Sequence, residues 1–588
     1  MSKLERQQIV GPMPIAELLK NILHRLTPGT DKSRDPFPCS DLDYPLGSRP
    51  GLRSFVDRIQ ETLCPNLALD FPAMALSKEP DVFFVARKPA SRDDPLNLTD
   101  GRELAFLRVS RDKDPFVNNA PPSQSRDASL LLPAQHAIET LSVLANQAAE
   151  LWENYDRLFV VTVLLIGDNA ARILRWDRAG VTVSERIALT AADNPVAELL
   201  TCWQIMAPAD RGYDMTLSLP SETEATQARE AFERCATVSI SPTVPLRRIV
   251  VADRANASQP ESEHTLIAAA PPRLGEIVGR ATIGYVAYDL TARKLAWFKD
   301  SWRNDVYQFT PEGTTGRLLN AKGVPHVPRV LCAGDVRGHY TRTETYAQMG
   351  GAWMHGRPRV RGHRHHRVVF DIVARPLETF RSTRELCTAV RDCLIAHEHA
   401  WNNADLLHRD MSAGNMLIDE NGRGVLVDWE LAAVRAKCRL SPCIGTWNYM
   451  SAALAEDDRR VNRDEDDAEA AVHALIETLL RYRPTKVHEL RGVLDHVWPN
   501  ETNDPVPGRG KREFWEGMIV GEEDLVASLP PPCVAMIRDL RALFRHAYAG
   551  ANAVCCSAVR GVLDEHLKSP GWLETDGACD QLRFGPKQ

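Results

Sequence analysis

The sequence has 588 residues, too many for a single hydrophobic core, so two to four domains are expected. Its composition is that of an ordinary globular protein, with 44% hydrophobic and 25% charged residues. The formal net charge of −7 gives no support to a nucleic-acid-binding role or to binding of anionic membranes.

The sequence also lacks the usual signals for export or membrane insertion. No apolar run reaches the roughly 18 residues needed to cross a bilayer, and the best candidate, residues 158–166, has the length of a strand. The first 30 residues contain no continuous apolar signal segment. The 13 cysteines are scattered, which favours buried thiols over a disulfide framework or a zinc site. We therefore expect an intracellular protein, in the cytoplasm or the nucleus, without a membrane or nucleic-acid partner.

The N-terminal part, residues 1–252, is predicted to be an α+β domain. Residues 136–152 place apolar side chains on one face of a helix. Three strand-like runs follow at residues 158–166, 171–176 and 181–189, and the short turns between them favour an antiparallel meander. This part contains little recognisable chemistry, and we interpret it as a scaffold or recognition domain.

Composition divides the rest of the chain. Residues 253–272 are rich in proline and polar side chains and precede alternating apolar segments, so a linker is predicted there. A two-lobed domain is predicted to follow, with a first lobe at 273–376, a second lobe at 377–560 and a C-terminal tail at 561–588. The basic stretch at 357–367 is predicted to be a solvated loop rather than a binding patch.

The first lobe carries the pattern of a nucleotide-binding segment. Gly279, Gly284 and Val286 approximate G-x-G-x-x-G-x-V, with one glycine replaced. The next apolar strand ends at Lys299, which is the best candidate for binding the α- and β-phosphates because burying an unpaired ammonium is costly. Glu312, near the start of a following helix, is the predicted counter-charge of Lys299.

The second lobe contains the most specific pattern in the chain. Residues 383–401 have the apolar spacing of a buried helix. An H-R-D triplet follows and ends at Asp410, with Asn415 five residues later. An Asn-Gly turn then predicts a hairpin whose second strand ends at Asp428. This hairpin would bring Asp428 alongside Asn415.

These residue types are the ones that phosphoryl transfer needs. The reaction requires held phosphates, a carboxylate beside the acceptor hydroxyl, and oxygen ligands for Mg²⁺. Asp410 is the predicted catalytic base, Asn415 and Asp428 are the predicted Mg²⁺ ligands, and Lys299 is the predicted phosphate-binding lysine. ATP and Mg²⁺ are the cofactors that this pattern implies.

Together the motifs resemble the protein-kinase-like fold, and more narrowly the fungal-type protein kinase family. The resemblance is carried by Lys299–Trp302, Pro311–Gly313, His408–Asn415, Asp428–Ala432, Gly445–Trp447 and Met450–Ala452, and by Ala171–Gly180 and Arg211–Thr216 in the N-terminal part. It implies an α+β fold in which a two-lobed protein-kinase-like domain is preceded by an α+β N-terminal domain. It also implies a protein substrate, whose identity the sequence leaves open, as it does the oligomeric state.

The sequence departs from the usual protein-kinase pattern at several positions. Ala281 replaces the middle glycine of the glycine-rich motif, and Ser412 stands two residues after the catalytic aspartate, where serine/threonine kinases usually have lysine. Residues 428–430 read Asp-Trp-Glu instead of Asp-Phe-Gly, and residues 450–452 read Met-Ser-Ala instead of Ala-Pro-Glu. Because glutamate lacks the access of glycine to positive φ, Glu430 is expected to make the metal-binding loop less able to flip out.

Three functions remain open at this point. The first is an ATP- and Mg²⁺-dependent kinase acting on protein serine or threonine hydroxyls. The second is a small-molecule phosphotransferase of the aminoglycoside or choline type, for which Asp-Trp-Glu is also typical. The third is a catalytically weak pseudokinase that serves as a binding module. Arg409, which could pair with a phosphorylated Ser441 or Thr446, favours protein substrates.

Overall fold

The computed structural model describes most of the chain. The described residues are 8–23, 67–70, 81–87, 102–117, 128–155, 157–167, 169–189, 195–235, 240–241, 243–254, 262–269, 277–305, 310–349, 353–435, 444–457, 459–521, 524, 529–550 and 552–584. These ranges contain 20 strands and 14 helices, a mixed α+β architecture. None of the helices in these ranges combines the length and apolar character that a bilayer span requires.

The helices are numbered in chain order. They are α1 (Ile15–Ile22), α2 (Gln135–Tyr155), α3 (Pro195–Ile205), α4 (Glu222–Glu233), α5 (Glu312–Ala321), α6 (Thr343–Met349), α7 (Thr383–Ala404), α8 (Ala452–Glu456), α9 (Asp464–Tyr482), α10 (Leu490–Val497), α11 (Arg509–Trp515), α12 (Pro531–Tyr548), α13 (Cys556–Leu567) and α14 (Gln581–Phe584).

The N-terminal part forms an eight-stranded sheet. Its strands are β1 (Ile9–Met13), β2 (Leu67–Asp70), β3 (Asp81–Arg87), β4 (Arg102–Val109), β5 (Val160–Ile166), β6 (Ala170–Asp177), β7 (Gly180–Ser184) and β8 (Ile187–Ala188). The spatial order is β1-β7-β6-β5-β4-β3-β2, with β8 beside β6. The predicted helix at 136–152 is confirmed as part of α2, and the predicted meander is confirmed by the antiparallel pairs β5–β6 and β6–β7. Helix α2 packs on one face of the sheet and helices α1 and α3 on the other, so β5 and β6 are buried throughout.

A seven-stranded antiparallel sheet follows. Its strands are β9 (Leu217–Ser218), β10 (Arg247–Asp253), β11 (Ser262–Ala268), β12 (Ile283–Asp289), β13 (Lys294–Asn304), β14 (Val330–Tyr340) and β15 (His363–Phe370). The spatial order is β14-β15-β13-β12-β11-β10-β9, which places the Lys299 strand β13 in the interior of the sheet.

This sheet corrects part of the predicted domain division. Strand β11 pairs with β10 on one side and β12 on the other, so the linker predicted at 253–272 is wrong for residues 262–268. Only the last three residues of β11 are buried and its first residues are exposed and polar, which gives it the composition of a linker. Strand β9 and all but the last residue of β10 lie inside the predicted N-terminal domain but belong to the same sheet. The rest of the division stays a prediction.

The basic stretch at 357–367 is also different from the prediction, because its last residues form β15. His365 and Arg367 are buried there, and both contact the buried carboxylate of Asp300: His365 Nε2 at 2.5 Å and Arg367 Nε at 3.3 Å. A cation can be buried in a strand when a carboxylate of the neighbouring strand pairs with it, and the sequence pattern alone does not reveal that partner.

Helix α5 packs closely on β14 through glycine. A Cβ atom placed on Gly313 would lie 2.2 Å from the Cβ atom of Ala333, so only glycine allows this approach. The close packing sets the position of Glu312, the first residue of α5, relative to the sheet.

The second lobe is helical. Helices α7, α9, α12 and α13 share one hydrophobic core with the strands that flank the H-R-D loop, and the predicted helix at 383–401 is confirmed as part of α7. Those strands are β16 (Arg375–Pro376), β17 (Leu406–Leu407), β18 (Met416–Ile418), β19 (Gly424–Leu426) and β20 (Ala433–Val434). The tail predicted at 561–588 is wrong at its start, because α13 continues to Leu567 and buries Leu563 and Leu567 in this core.

The N-terminal sheet is joined to the rest of the molecule by polar and apolar contacts. Asp177 Oδ2 accepts hydrogen bonds from the main-chain N–H groups of Arg342 (2.8 Å) and Thr343 (3.1 Å). Tyr346 of α6 packs into the core on one face of that sheet, and Ile277 packs into the core on the other face. The two sheets therefore share buried interior.

Candidate active site

The H-R-D loop lies between α7 and the hairpin β18–β19. Asn415 ends a single 3-10 turn, and its side-chain amide donates to the main-chain oxygen of Asp410 (2.9 Å) and to Asp410 Oδ2 (3.0 Å). Asp410 Oδ1 accepts a hydrogen bond from the main-chain N–H of Thr446 (2.9 Å). These bonds fix the orientation of the Asp410 carboxylate, which stays partly exposed.

Gly445 allows Thr446 to approach the loop. Its φ is +136°, and a Cβ atom at this position would lie 2.7 Å from the carbonyl oxygen of Arg409. Only glycine tolerates both conditions. Residues 444–446 therefore lie directly against the loop that carries Asp410.

A buried carboxylate supports the loop from the helical side. Asp467, in the first turn of α9, accepts hydrogen bonds from the Arg409 main-chain N–H (2.9 Å) and from His397 Nε2 (2.8 Å). Burial acts to lower the pKa of His397, but the hydrogen bond and charge of Asp467 outweigh it and raise the pKa. Asp467 therefore caps the backbone of this loop.

Asp428 stands where the hairpin brings it back to the loop. Strands β18 and β19 pair antiparallel, as predicted, and the main-chain N–H of Val427 donates to the main-chain oxygen of Asn415 (2.9 Å). This pairing sets Asp428 beside Asn415. Asp428 adopts a left-handed conformation, with φ 61° and ψ 62°.

Lys299 connects the two lobes. Its Nζ atom lies 2.7 Å from Glu312 Oε2, 2.8 Å from Asp428 Oδ1 and 3.9 Å from Glu430 Oε2, so the predicted pairing with Glu312 is present. Burial acts to lower the pKa of the Lys299 ammonium, but these carboxylates outweigh it and raise the pKa above its ordinary value. Lys299 is therefore held as a cation inside the cleft.

The site has a surplus of negative charge. Carboxylate oxygens of Glu312, Asp428 and Glu430 lie within 4.8 Å of one another. Burial raises the pKa of the Glu312 carboxyl to about 7 even though Lys299 acts in the opposite direction. A further cation beside these groups would lower the electrostatic cost. The oxygen donors of Asp428 and Asn415 suit a hard cation such as Mg²⁺.

Glu430, in place of the expected glycine, makes a contact across the cleft. Its Oε2 atom lies 3.0 Å from Nη1 of Arg280, which belongs to the segment before β12. The main-chain oxygen of Arg280 accepts a hydrogen bond from the N–H of Trp302 in β13 (2.7 Å). The Arg280–Glu430 pair thus joins the glycine-containing segment of the first lobe to the loop that carries Asp428.

The predicted glycine-rich residues occupy two different settings. Gly279 lies in the irregular segment before β12, and its N–H donates to the main-chain oxygen of Arg178 (2.8 Å). Gly284 and Val286 lie inside β12, opposite Lys299 and Trp297 respectively. The indole of Trp297 covers Gly284, since a Cβ atom there would lie 2.6 Å from the ring. Their contact with a nucleotide stays a prediction.

The segment at 450–452 that replaces Ala-Pro-Glu has its own anchors. Ser451 Oγ donates to the buried Asp466 Oδ1 (2.6 Å). Lys511 Nζ donates to the main-chain oxygens of Met450 (2.7 Å) and Trp447 (3.1 Å). Burial lowers the pKa of the Lys511 ammonium to about 8. The missing glutamate is therefore replaced by a hydroxyl and an ammonium in this protein.

Three of these functional side chains were missed by sequence reasoning. They are Arg280, Trp297 and Lys511. Arg280 lies within the glycine-containing motif and Trp297 within the strand that ends at Lys299, but both occupy variable positions of these patterns, and the partner of Arg280 is remote in sequence. Lys511 lies in a Pro- and polar-rich stretch and gives no sequence signal of burial.

Comparison with known proteins gives one family match. A family model described as fungal protein kinase matches residues 133–471, which is more than half of the chain. The matched part begins two residues before α2 and ends within α9, so it includes Lys299, Glu312, Asp410, Asn415 and Asp428. No curated protein matches the chain.

Proposed function

The chain belongs to the fungal protein kinase family, and we propose that it is an ATP- and Mg²⁺-dependent kinase that phosphorylates serine or threonine hydroxyls of a protein. The observation that carries this proposal is the assembled cleft. Lys299 contacts Glu312 of the first lobe and Asp428 of the second lobe at 2.7 and 2.8 Å, so the charged groups of both lobes already converge.

The residues of the chain divide the work of phosphoryl transfer. Lys299 binds the α- and β-phosphates of ATP, while Glu312 holds the lysine in place. The oxygen of the acceptor hydroxyl attacks the γ-phosphorus, and the bond from that phosphorus to the β,γ-bridging oxygen breaks, so that ADP leaves. Asp410 accepts the proton of the hydroxyl.

Asn415 and Asp428 are the residues that would hold Mg²⁺, as their oxygen donors and adjacent backbones suggest. When bound, the ion neutralises charge that develops on the phosphate oxygens. The left-handed conformation of Asp428 and its hydrogen bond from Lys299 orient the carboxylate before any ion arrives.

A polypeptide acceptor is supported by residues 444–451. Thr446 in this segment donates a main-chain hydrogen bond to Asp410, and Lys511 binds the main-chain oxygens of Trp447 and Met450, so the segment forms a wall next to the proposed base. A wall of this kind provides main-chain and side-chain positions for an extended peptide, which a small alcohol does not need.

A second candidate function is a nucleotide-binding or scaffold module without catalysis. The observations that favour it are the Arg280–Glu430 pair across the cleft and the half-buried Trp297 indole on the Lys299 face of the sheet. Ser412, in place of the usual lysine, removes one cation from the transfer site. Under this alternative, nucleotide binds but no phosphate is transferred.

The decisive experiment is transfer of radiolabelled γ-phosphate by the purified full chain. Wild type, Asp428→Ala and Asp410→Asn would be compared on a mixed peptide panel and on small alcohols, with Asp495→Asn, an exposed aspartate of α10, as matched control. We expect phosphorylated peptides from wild type and the control. Asp410→Asn should lower kcat at least about a hundredfold, and Asp428→Ala should remove Mg²⁺-dependent transfer.

Each alternative result has a clear meaning. Full activity of Asp410→Asn would show that Asp410 is not the base. Nucleotide binding by wild type without transfer to any acceptor would support the second candidate function. Transfer to small alcohols alone would overturn the protein-substrate assignment.

A further inference from the structure

A cleft of about 390 Å³ lies outside the proposed transfer site, between the first turn of α5 and the edge strand β14 with its neighbour β15. Its walls include Pro311 and Thr314 of the α5 turn, and five cationic or imidazole side chains: Arg254, Arg337, His339, Arg364 and His366. The volume is sufficient for a phosphate group together with part of the residue that carries it.

The carboxylate that lines this cleft does not cancel the positive charge of the cleft. Asp335 is the lining carboxylate, and it is bound by Arg303 Nε (2.8 Å) and His366 Nδ1 (2.9 Å). Burial would raise the pKa of Asp335, but these hydrogen bonds hold it well below its ordinary range. In the described part of the chain, the exposed Arg337 has no ion-pair partner, and the half-exposed Arg364 pairs with the exposed Asp305.

A buried polar atom is left without a partner at the same place. His366 is 4% exposed, and its Nε2 atom has no hydrogen-bond partner among the described residues. This atom faces the first turn of α5, because a Cβ atom on Gly313 would lie 3.5 Å from it. Buried polar atoms are normally hydrogen-bonded, so a partner supplied from outside the chain would satisfy His366.

The helix turn adds a further attraction for anions. Helix α5 has ten residues, and no side chain of the described residues caps its N-terminus. The N-terminal turn of a helix presents main-chain N–H groups and the positive end of the helix dipole. Guanidinium groups match the oxygen atoms of a phosphate in a bidentate way, which suits a tetrahedral dianion better than a single carboxylate.

We propose that this cleft binds a phosphate monoester or inorganic phosphate. Arg337 and Arg364 are the principal cationic contacts, and the α5 N-terminus and His366 lie at the bottom of the cleft. A phosphorylated side chain of a polypeptide and free phosphate share this chemistry.

Occupation of the cleft would act on the transfer site through α5, and this consequence rests on the proposed function. Pro311 and Thr314, which line the cleft, flank Glu312, the partner of Lys299. An anion at this turn stabilises the helix end and therefore the Lys299–Glu312 pair. By linkage, phosphate in the cleft and nucleotide at Lys299 should strengthen each other's binding.

The site itself is tested by binding, without any need for catalysis. Isothermal titration calorimetry would measure inorganic phosphate and a phosphothreonine peptide against the full chain, with the unphosphorylated peptide as blank. The variants are Arg337→Glu and the matched control Arg359→Glu, an exposed arginine outside the cleft. We expect saturable binding that Arg337→Glu weakens at least tenfold and Arg359→Glu changes less than twofold.

The two probes distinguish the source of the phosphate. Tighter binding of the peptide than of inorganic phosphate identifies a phosphorylated side chain, and equal binding identifies free phosphate. Absence of saturable binding by both probes, or equal weakening by Arg337→Glu and Arg359→Glu, would overturn the proposed site. Because no transfer is measured, a catalytically inactive protein would still give a clear result.

Coupling to the nucleotide is measured separately. A saturating concentration of the tighter probe should lower the Kd for MgADP at least threefold in wild type and leave it unchanged in Arg337→Glu. An unchanged Kd in wild type would contradict the coupling, whatever the outcome of the peptide phosphorylation assay.

Discussion

At position 430, a glutamate residue occupies the place of a flexible glycine and pairs with Arg280 and Lys299 across the cleft. We expect Glu430→Gly to free the Asp428 loop, because glycine has access to more conformations and the Arg280 contact is lost. Amide hydrogen exchange in residues 428–432 should become faster, and MgADP should bind several-fold more weakly. Glu430→Gln separates loss of charge from gain of flexibility, and equal exchange in Glu430→Gly and wild type would contradict the idea.

His363 makes the stability of the folded protein depend on pH, and the shift of its pKa gives the sign of this dependence. Burial lowers its pKa from the ordinary 6.5 to about 4, so the unfolded chain takes up the proton first as pH falls. The stability that neutral His363 contributes is complete above pH 6.5 and is lost between 6.5 and about 4. When the pH falls from 7 to 5, the free energy of unfolding of the wild type should decrease by about 2 kcal/mol more than that of His363→Gln. Denaturant unfolding of both proteins at the two pH values measures this difference, and a parallel loss would contradict it.

At the scale of elements, the packing of α5 on β14 decides where Glu312 stands. We expect Gly313→Ala to push the helix away from Ala333 and to destabilise the fold by about 1–3 kcal/mol. Because Glu312 moves with the helix, the affinity for MgADP should fall as well. Gly561→Ala in α13 is the matched control: no atom lies within 4 Å of its new Cβ, so stability should be unchanged or rise by up to about 1 kcal/mol. Equal effects of the two variants would show that the contact with Ala333 is unimportant.

Elements differed in how well the sequence predicted them. Helices α2 and α7 and the hairpin β18–β19 follow from local periodicity and an Asn-Gly turn, so their prediction was confirmed. Strand β11 was missed because half of it is exposed and polar, and β15 was missed because its basic side chains are buried against carboxylates that lie elsewhere in the chain. A single-sequence pattern contains the local preference but not the cross-strand partner.

At the scale of the whole molecule, a buried ion pair joins the segment that leads from the N-terminal sheet into β9 to strand β15 of the lobe that carries Lys299. Asp214 Oδ2 accepts a hydrogen bond from Nη2 of the fully buried Arg367 (2.8 Å), and the charge of Arg367 helps to hold the pKa of Asp214 at about 2 against the effect of burial. We expect Asp214→Asn to destabilise the protein by about 3 kcal/mol, because it leaves a buried guanidinium short of a partner.

The matched control is Asp405→Asn, which removes an exposed carboxylate that lies 3.2 Å from Arg435. An exposed pair of this kind contributes about 1 kcal/mol or less. Since the two sheets share buried interior, calorimetry of the full chain should show Asp214→Asn lowering the melting temperature of the sheets together. A lower temperature for only one of two separate transitions would contradict this shared interior.

The sequence by itself determined the order of the chemical groups in the second half of the chain. Asp410, Asn415 and Asp428 lie within 19 residues of one another, and turn chemistry over so short a distance is enough to bring them together. Lys299 and Glu312 were also found from the sequence, since each occupies a motif position of its own.

Only the tertiary structure decided which remote groups meet these residues. The pairing of Arg280 with Glu430 spans 150 positions, as their numbers show, and the cleft beside α5 combines residues from Arg254 to His366. Such contacts depend on strand order and helix packing, which are set by the burial of whole surfaces rather than by local preferences. The motif therefore identified the chemistry of the site, while the fold determined its electrostatic surroundings and the anion-binding cleft proposed beside it.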